Sequence, residues 1–408
     1  MKKNRGLSWP ELTFVVYIFM FHISIGMRIS GISLARSSAS TVQHLLLGIL
    51  AVSAVLSIPA YLKRIYIDEI VVVMIFVLLY AITMLNYNTA NEISRQNMLK
   101  QTFVNSMPTY FIFRFCRNYE KMWKYLKAFS VLTFLIYTVS FFSYNVASVY
   151  RTFAAGMLIP MVVFEIEWLY NRRHRYILFV IPSIIMIAIG GRRSSLIVAA
   201  VCAIVIFIMK KNYKALIYMA IIGVLFLVFF DDIINRLYEF SLSQGINSRT
   251  LRRILSGKMA DDSNRFTQYL KVFDVLLSDS RKALFGLGVV GERPYLITEL
   301  GMKGGYPHGI LVEIIGHFGF IIGLFLEFLL FILLPVYGFR RNRENKEMMF
   351  LMVFSICMVS ELLFQDSYLQ NKYFFLYFAV MTTAVWKGNG RLILRRKRIP
   401  VIKQSCRT

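Results

Sequence analysis

Charge is scarce in this chain. Asp, Glu, Lys and Arg make up 17% of its 408 residues, while hydrophobic types make up 57%. A soluble enzyme needs more polar surface, so the composition excludes one. Alternating polarity is absent as well. The apolar residues come in solid blocks, whereas a membrane β-barrel would alternate them. Nucleotide-handling signatures are missing: there is no Walker loop, no glycine-rich dinucleotide turn after a strand and no serine nucleophile elbow. The chain is therefore not expected to draw energy from a nucleotide. Cysteine is rare, and Cys116, Cys202, Cys357 and Cys406 all avoid the expected outer loops. No structural disulfide is expected. Long water-compatible stretches are scarce too. The one that stands out runs from Asp231 to Tyr306, and Pro307-His308-Gly309-Ile310-Leu311-Val312-Glu313 follows it.

What the chain has is apolar runs of about 16 to 22 residues. A helix of that length crosses a bilayer with its backbone groups satisfied internally. The expected fold class is an all-α polytopic membrane protein of about twelve transmembrane helices. The spans are placed at 11–28, 42–62, 69–87, 101–116, 126–146, 152–170, 176–190, 195–210, 214–230, 308–339, 347–365 and 372–387. The first is read as an uncleaved span, since no small-residue cleavage site follows it closely. Four regions result: an N-terminal transmembrane bundle over 1–230, a large extracytoplasmic loop over 231–306, C-terminal transmembrane helices over 307–390 and a basic cytoplasmic tail over 391–408.

Lys and Arg set the orientation. With both termini in the cytoplasm, the inside segments include Lys63-Arg64, Arg117 to Lys127, Arg172-Arg173-His174-Arg175, Lys210-Lys211 and Arg340-Arg341-Asn342-Arg343. The formal net charge of +25 lies in these short loops. Anionic lipid headgroups are its expected partner, and nucleic acid is not. The large outer loop is not filler. Leu237, Phe240 and Leu242, then Leu251 and Leu255, then Phe266, Tyr269, Phe273 and Leu276 recur with helical spacing. Short amphipathic helices over the membrane surface are expected. Ser263-Asn264 is the expected N-cap of the third.

Candidate site residues cluster at the outer ends. Arg192 and Arg193 occupy a tight outer turn, against the positive-inside trend. They either contact headgroups or clamp an anion, because a guanidinium offers a planar fork suited to phosphate. Arg249, Arg252 and Arg253 share one helical face, and Arg265 opens the next helix, where the dipole disfavours a cation. Their alternative is a solvated basic face. His308 is either a helix-entry residue or a general base or phosphate ligand. Glu313 lies further into the same span and could simply pair with His317. Glu361 and Asp366, near an outer end, are candidate acceptor-side groups. Glu165, Glu167 and Glu327 lie towards the inner side and read as structural. Asp231-Asp232 and Asp261-Asp262 are adjacent carboxylates that point apart on a helix with no supporting His, so no metal site is expected.

Three segments in order resemble the bacterial O-antigen polymerase and O-antigen ligase families. They are Gly191-Arg192-Arg193-Ser194-Ser195-Leu196; then Asn264-Arg265 with Leu284-Phe285-Gly286-Leu287-Gly288; then Pro307-His308-Gly309 with Leu311, Glu313, Gly316, Gly319 and Gly323. Gly309 stands where the family usually has Asn, and Arg192 where it has Ser. The resemblance covers about residues 190–325. It implies a glycosyltransferase similar to the type-C enzymes, in the bacterial cytoplasmic (inner) membrane with its site facing outward. The substrates would be a polyprenyl-diphosphate-linked oligosaccharide donor and acceptor. Arginines would stabilise the leaving diphosphate, a His or carboxylate would take the hydroxyl proton, and no metal or other cofactor would be needed. On this resemblance His308, Arg265, Arg193 and Glu313 are the expected catalytic residues. Arg192, Arg249, Arg252, Arg253, Glu361 and Asp366 are the expected substrate-binding residues. The expected activity is polymerisation of repeat units into O-antigen or capsule, with a chain-length regulator protein as a further partner. The alternatives are ligation to a lipid A core or, without catalysis, flipping of lipid-linked sugars.

Overall fold

The structure, a computed structural model, describes residues 7–29, 33–62, parts of 71–78, 100–143, 150–190, 193–243, 251–252, 255–256, 263–288, 309–363 and 367–386. Among these residues the protein is all-α. The helices are α1 (Trp9–Ile29), α2 (Ser33–Leu62), α3 (Pro108–Phe115), α4 (Tyr119–Ser143), α5 (Tyr150–Leu169), α6 (Ile177–Gly190), α7 (Arg193–Met209) and α8 (Tyr213–Val228). Then come α9 (Phe230–Ser243), α10 (Ser263–Leu277), α11 (Ser280–Phe285), α12 (Ile310–Glu327), α13 (Leu334–Arg341), α14 (Lys346–Ser360) and α15 (Lys372–Trp386). Among the described residues, four helical stretches are long and apolar enough to cross a membrane: Trp9–Ile29, Ser38–Pro59, Tyr119–Phe142 and Ile310–Arg341. His174–Ile189 and Ser194–Met209 are apolar but shorter.

Burial follows the composition of each helix. α5 and α14 are apolar on every side, and a helix of that kind needs protein or lipid all round it. Here protein supplies the surroundings, since Met157 to Phe164 of α5 and Met348 to Phe354 of α14 are buried. α1, α4, α6 and α7 pack around α5, and α7 and α15 flank α14. α2 and α8 lie at the edge and expose Leu45, Val52, Val55, Ile217, Ile221 and Val224. Apolar side chains left bare in this way suit a lipid-facing surface.

Polar residues staple one end of the bundle. Glu167 at the end of α5 accepts from Trp123 Nε1 at 2.7 Å and Asn171 at 3.0 Å, and pairs with Lys127 and Arg173 at 3.1 Å each. Glu11 accepts the backbone N–H groups of Arg117 and Asn118 at 2.7 Å, ahead of α4. Asn342 Nδ2 donates to Ala384 O at 2.8 Å. Lys210 Nζ donates to the carbonyls of Leu169 and Tyr170 at 2.9 and 2.6 Å. Burial, then the nearby Arg172 and Lys346, pull the Lys210 pKa below the ordinary lysine value. The basic segments thus gather together, at the opposite ends of α7 and α14 from the candidate site.

Several expected boundaries change. The fourth span, 101–116, is not one α-helix. Residues Lys100–Ser106 are π-helical, with Met107 N–H donating to Thr102 O five residues back, and Pro108 then starts α3. Proline lacks the N–H needed to continue a helix through it. The tenth span, 308–339, is also broken. Gly319 has φ +79°, and residues Phe328–Leu333 are π-helical. The eleventh, 347–365, ends as α-helix at Ser360 and continues as a 3-10 turn, Glu361–Leu363. The second helix begins at Ser33, well before 42, and α9 begins at Phe230. Ser263 and Asn264, expected as a cap, are the first described residues of α10, and the residues before them lie outside the described ones. Most of the expected third span, 69–87, also lies outside them.

Candidate functional site

The break in α12 organises the site. An unbroken helix from Ile310 to Arg341 has 32 residues, about 48 Å at 1.5 Å per residue, well beyond a bilayer core of about 30 Å. Gly319 divides it. The part before the break buries Ile310, Val312, Glu313, Ile314, Ile315, Gly316 and His317. The part after it exposes Ile321, Leu324, Phe325 and Phe328. The first part is held inside protein, and the second has the surface of a lipid-facing span.

A break orphans helix carbonyls, which must find donors elsewhere. The turn after α11 supplies them. Leu287 N–H donates to Gly316 O at 2.8 Å and Gly288 N–H to His317 O at 3.1 Å. Gly286 and Gly288 have positive φ, +74° and +78°, so this turn suits glycine. α11 leads into the turn, with Asp279 as its N-cap accepting from Arg281 N at 2.9 Å. Beside these bonds Val272, Val275, Leu276, Leu287, Val312 and Ile315 form a small apolar core, and the Phe273 and Phe320 rings lie 5.7 Å apart. The second and third of the three segments are therefore docked on one another.

The remaining contacts join the first. A Cβ at Gly309 would stand 2.7 Å from Tyr269 Oη and 3.2 Å from Leu363 O, so a side chain there would displace its neighbours. Leu363 closes the 3-10 turn begun by Glu361. Ser195 of α7 donates to Glu361 Oε1 at 3.4 Å, and both residues are buried. α7, the turn at 361–363, the start of α12 and α10 thus meet in one place.

Two further buried polar groups belong to this region. Ser367 Oγ donates to Glu313 Oε1, and Tyr368 N–H donates to Glu313 Oε2 at 3.1 Å. Glu313 therefore holds the start of the 3-10 turn Tyr368–Gln370. His317 Nδ1 lies 2.9 Å from Tyr368 Oη. Ser195 was named from the sequence only as part of the first segment, without a role, and Ser367 and Tyr368 were not anticipated. Serine and tyrosine are common near helix ends, and nothing local marked these three.

Of the expected site residues, Glu313 and Glu361 are brought to this region. Arg193 is the first residue of α7, and Arg265 stands in the first turn of α10. Both arginines therefore sit at helix N-termini, where the dipole disfavours a cation. Arg252 is exposed. Arg192, Arg249, Arg253, His308 and Asp366 lie outside the described residues, as does the Asp261-Asp262 pair. Asp231 and Asp232 open α9. Among the described residues no group of three or more His, Cys, Asp or Glu side chains is placed to hold a metal ion. Cys116, Cys202 and Cys357 are free and buried. The chain matches no family model, and no curated protein or solved structure is similar to it.

Proposed function

We propose that this protein is a glycosyltransferase of about twelve transmembrane helices that polymerises polyprenyl-diphosphate-linked oligosaccharides on the outer face of a bacterial cytoplasmic membrane. One observation carries the reading. The three segments that resemble the O-antigen polymerase and ligase families converge through Ser195–Glu361, Leu363–Gly309–Tyr269 and the two backbone bonds from Leu287 and Gly288. Their meeting in one place is what a shared site requires, and it supports the resemblance.

In this reading Arg193 and Arg265, with Arg192, Arg249, Arg252 and Arg253 near them in sequence, bind the donor diphosphate and stabilise the charge that develops as it leaves. A hydroxyl of the acceptor sugar attacks the anomeric carbon. His308 takes its proton or holds the diphosphate, while Glu361 and Asp366 bind the acceptor. Glu313 fixes the 367–368 backbone beside them. The test is chain extension from purified lipid-linked repeat units. Arg193→Ala and Arg265→Ala should abolish polymer at normal protein level, and Arg→Lys should restore it partly, since Lys lacks the fork. Full polymer from an Ala variant would reduce that arginine to a headgroup contact.

A second reading, a flippase for the same lipids, draws on polar groups within the helices. His22 Nε2 lies 2.9 Å from Tyr373 Oη, and Lys372 Nζ donates to Ile18 O at 2.8 Å, midway along α1. A transport pathway would carry such groups. Lipid translocation without chain extension by the purified protein would favour it.

A further inference from the structure

Lys372 is a cation with no counter-charge among the described residues. It opens α15, is partly buried, and its Nζ donates to Ile18 O at 2.8 Å. The ammonium also lies 5.5 Å from the centre of the Tyr373 ring. It forms no ion pair among the described residues. An ammonium has three donors, and a lone charge inside a membrane protein is costly unless an anion meets it.

Its surroundings are polar in an unusual way. The π-helical segment Lys100–Ser106 packs on α15 and on the 368–370 turn that precedes it. Ser106 Oγ and Gln101 Oε1 of this segment are buried with no hydrogen-bond partner among the described residues. Ser106 itself is 1% exposed. A π-helical stretch is rare and often marks a functional site. A buried hydroxyl left unpaired has a cost that a bound acceptor removes. Tyr17, next to Ile18, donates to Asn105 O and ties this segment to α1. Lys372 is separated from Ser367, held by Glu313, by one short turn, roughly 10 Å at the rise of a 3-10 helix.

We propose that Lys372, with Ser106, forms a phosphate subsite that takes the diphosphate of a second lipid-linked substrate, separate from the arginine-rich loop. A bond-forming reaction between two lipid-linked glycans needs two such places, so the proposal deepens the polymerase reading and rests on it. The ammonium and the hydroxyl donate to phosphate oxygens, while the lipid tail stays in the bilayer.

The experiment uses the full-length protein in phosphatidylcholine nanodiscs and counts bound undecaprenyl diphosphate by native mass spectrometry. The wild type should bind two molecules. Lys372→Met, of similar length and apolar, should weaken one of them by about ten- to a hundred-fold, the usual worth of a charged hydrogen bond. Lys372→Arg should retain it. Lys372→Met should also melt no lower than wild type, because it removes an unpaired charge. If Lys372 only straps α1 to α15, the Met variant melts lower with two sites intact, and the proposal is overturned. It is equally overturned if phosphatidylglycerol, and not the diphosphate, binds in a Lys372-dependent way. If Lys372-dependent diphosphate binding persists in a protein that never extends chains, the subsite stands and the polymerase reading falls.

Discussion

Replacing Gly319 by Ala tests whether the loop over 280–288 is held by the broken helix. The perturbation has two parts. Gly319 has φ +79° and ψ 175°, a region essentially confined to glycine that costs another residue about 1–3 kcal/mol. A Cβ there would also stand 2.5 Å from the carbonyl carbon of Leu284 and 2.7 Å from Ala283 O, which are backbone atoms with no easy escape. The chain has a ready alternative. If residue 319 turns helical, Phe320 and Ile321 N–H reach Gly316 O and His317 O, four residues back. Those two carbonyls now accept from Leu287 and Gly288. Healing the helix therefore evicts the loop and leaves its two amides to solvent.

The magnitude follows. The exchanged hydrogen bonds cancel; backbone strain of about 1–3 kcal/mol and about 1 kcal/mol of helix propensity gained by Ala, with the overlap on the Leu284 and Ala283 backbone adding to both, come to roughly 3–4 kcal/mol in favour of the released loop. Each 1.4 kcal/mol is about tenfold, so local opening should rise by two to three orders of magnitude. Hydrogen exchange of the full-length protein in nanodiscs reads this directly. Peptides spanning 280–288 should exchange about a hundred to a thousand times faster in Gly319→Ala, while peptides from α5 and α14 should not change. Gly286→Ala should do the same from the other side, because its Cβ would overlap His317 O at φ +74°. Unchanged exchange over 280–288 in both variants would refute the argument that these glycines hold the joint.

Glu313→Ala strands the Tyr368 N–H and the Ser367 hydroxyl, and should destabilise the fold by about 2–4 kcal/mol, with Glu313→Gln recovering much of it; equal melting temperatures for the two would show that these bonds carry no stability. Glu167→Ala leaves Trp123, Lys127 and Arg173 without their acceptor and should cost about 1–3 kcal/mol, since the carboxylate is buried but its basic partners are partly exposed, read from thermal unfolding in detergent. Reporter fusions after Gly257 and after Arg343 should report opposite compartments, outer then cytoplasmic; the same compartment for both would break the twelve-span reading. For His308, activity that falls as pH drops through its pKa marks a base needed neutral, and activity that holds or rises marks a charged phosphate ligand; His308→Ala extending chains at near wild-type rate would remove it from the site.

Helices that are apolar along their length were legible to within a few residues. The first span, expected at 11–28, is Trp9–Ile29, and the last, expected at 372–387, is Lys372–Trp386. Apolar runs report burial or lipid contact of whole helices, and those two cases need nothing non-local. The interruptions were harder to read. Pro108 was a visible warning inside the expected fourth span, because proline breaks the backbone ladder. Gly316, Gly319 and Gly323 were seen as a motif, yet spacing alone cannot tell a glycine that packs closely from one that takes positive φ.

The break at Gly319 shows why the rest stayed hidden. A helix end inside a membrane protein is stable only if its carbonyls find donors. Here the donors are Leu287 and Gly288, about thirty residues earlier and across a loop that reads as polar. Each half of this arrangement looks ordinary by itself: a glycine-rich turn, and an apolar helix with spaced glycines. Only their pairing gives either a purpose, and pairing is a tertiary fact. The same holds for Glu313, which as a sequence feature is a lone acid in a span. Its cost is met by Ser367 and Tyr368, more than fifty residues on. The polar groups of this site could be named from the chain because they are expensive in their surroundings. Their partners could not, because serine, tyrosine and backbone amides are cheap everywhere, and they become informative only once a buried acid or a broken helix requires them.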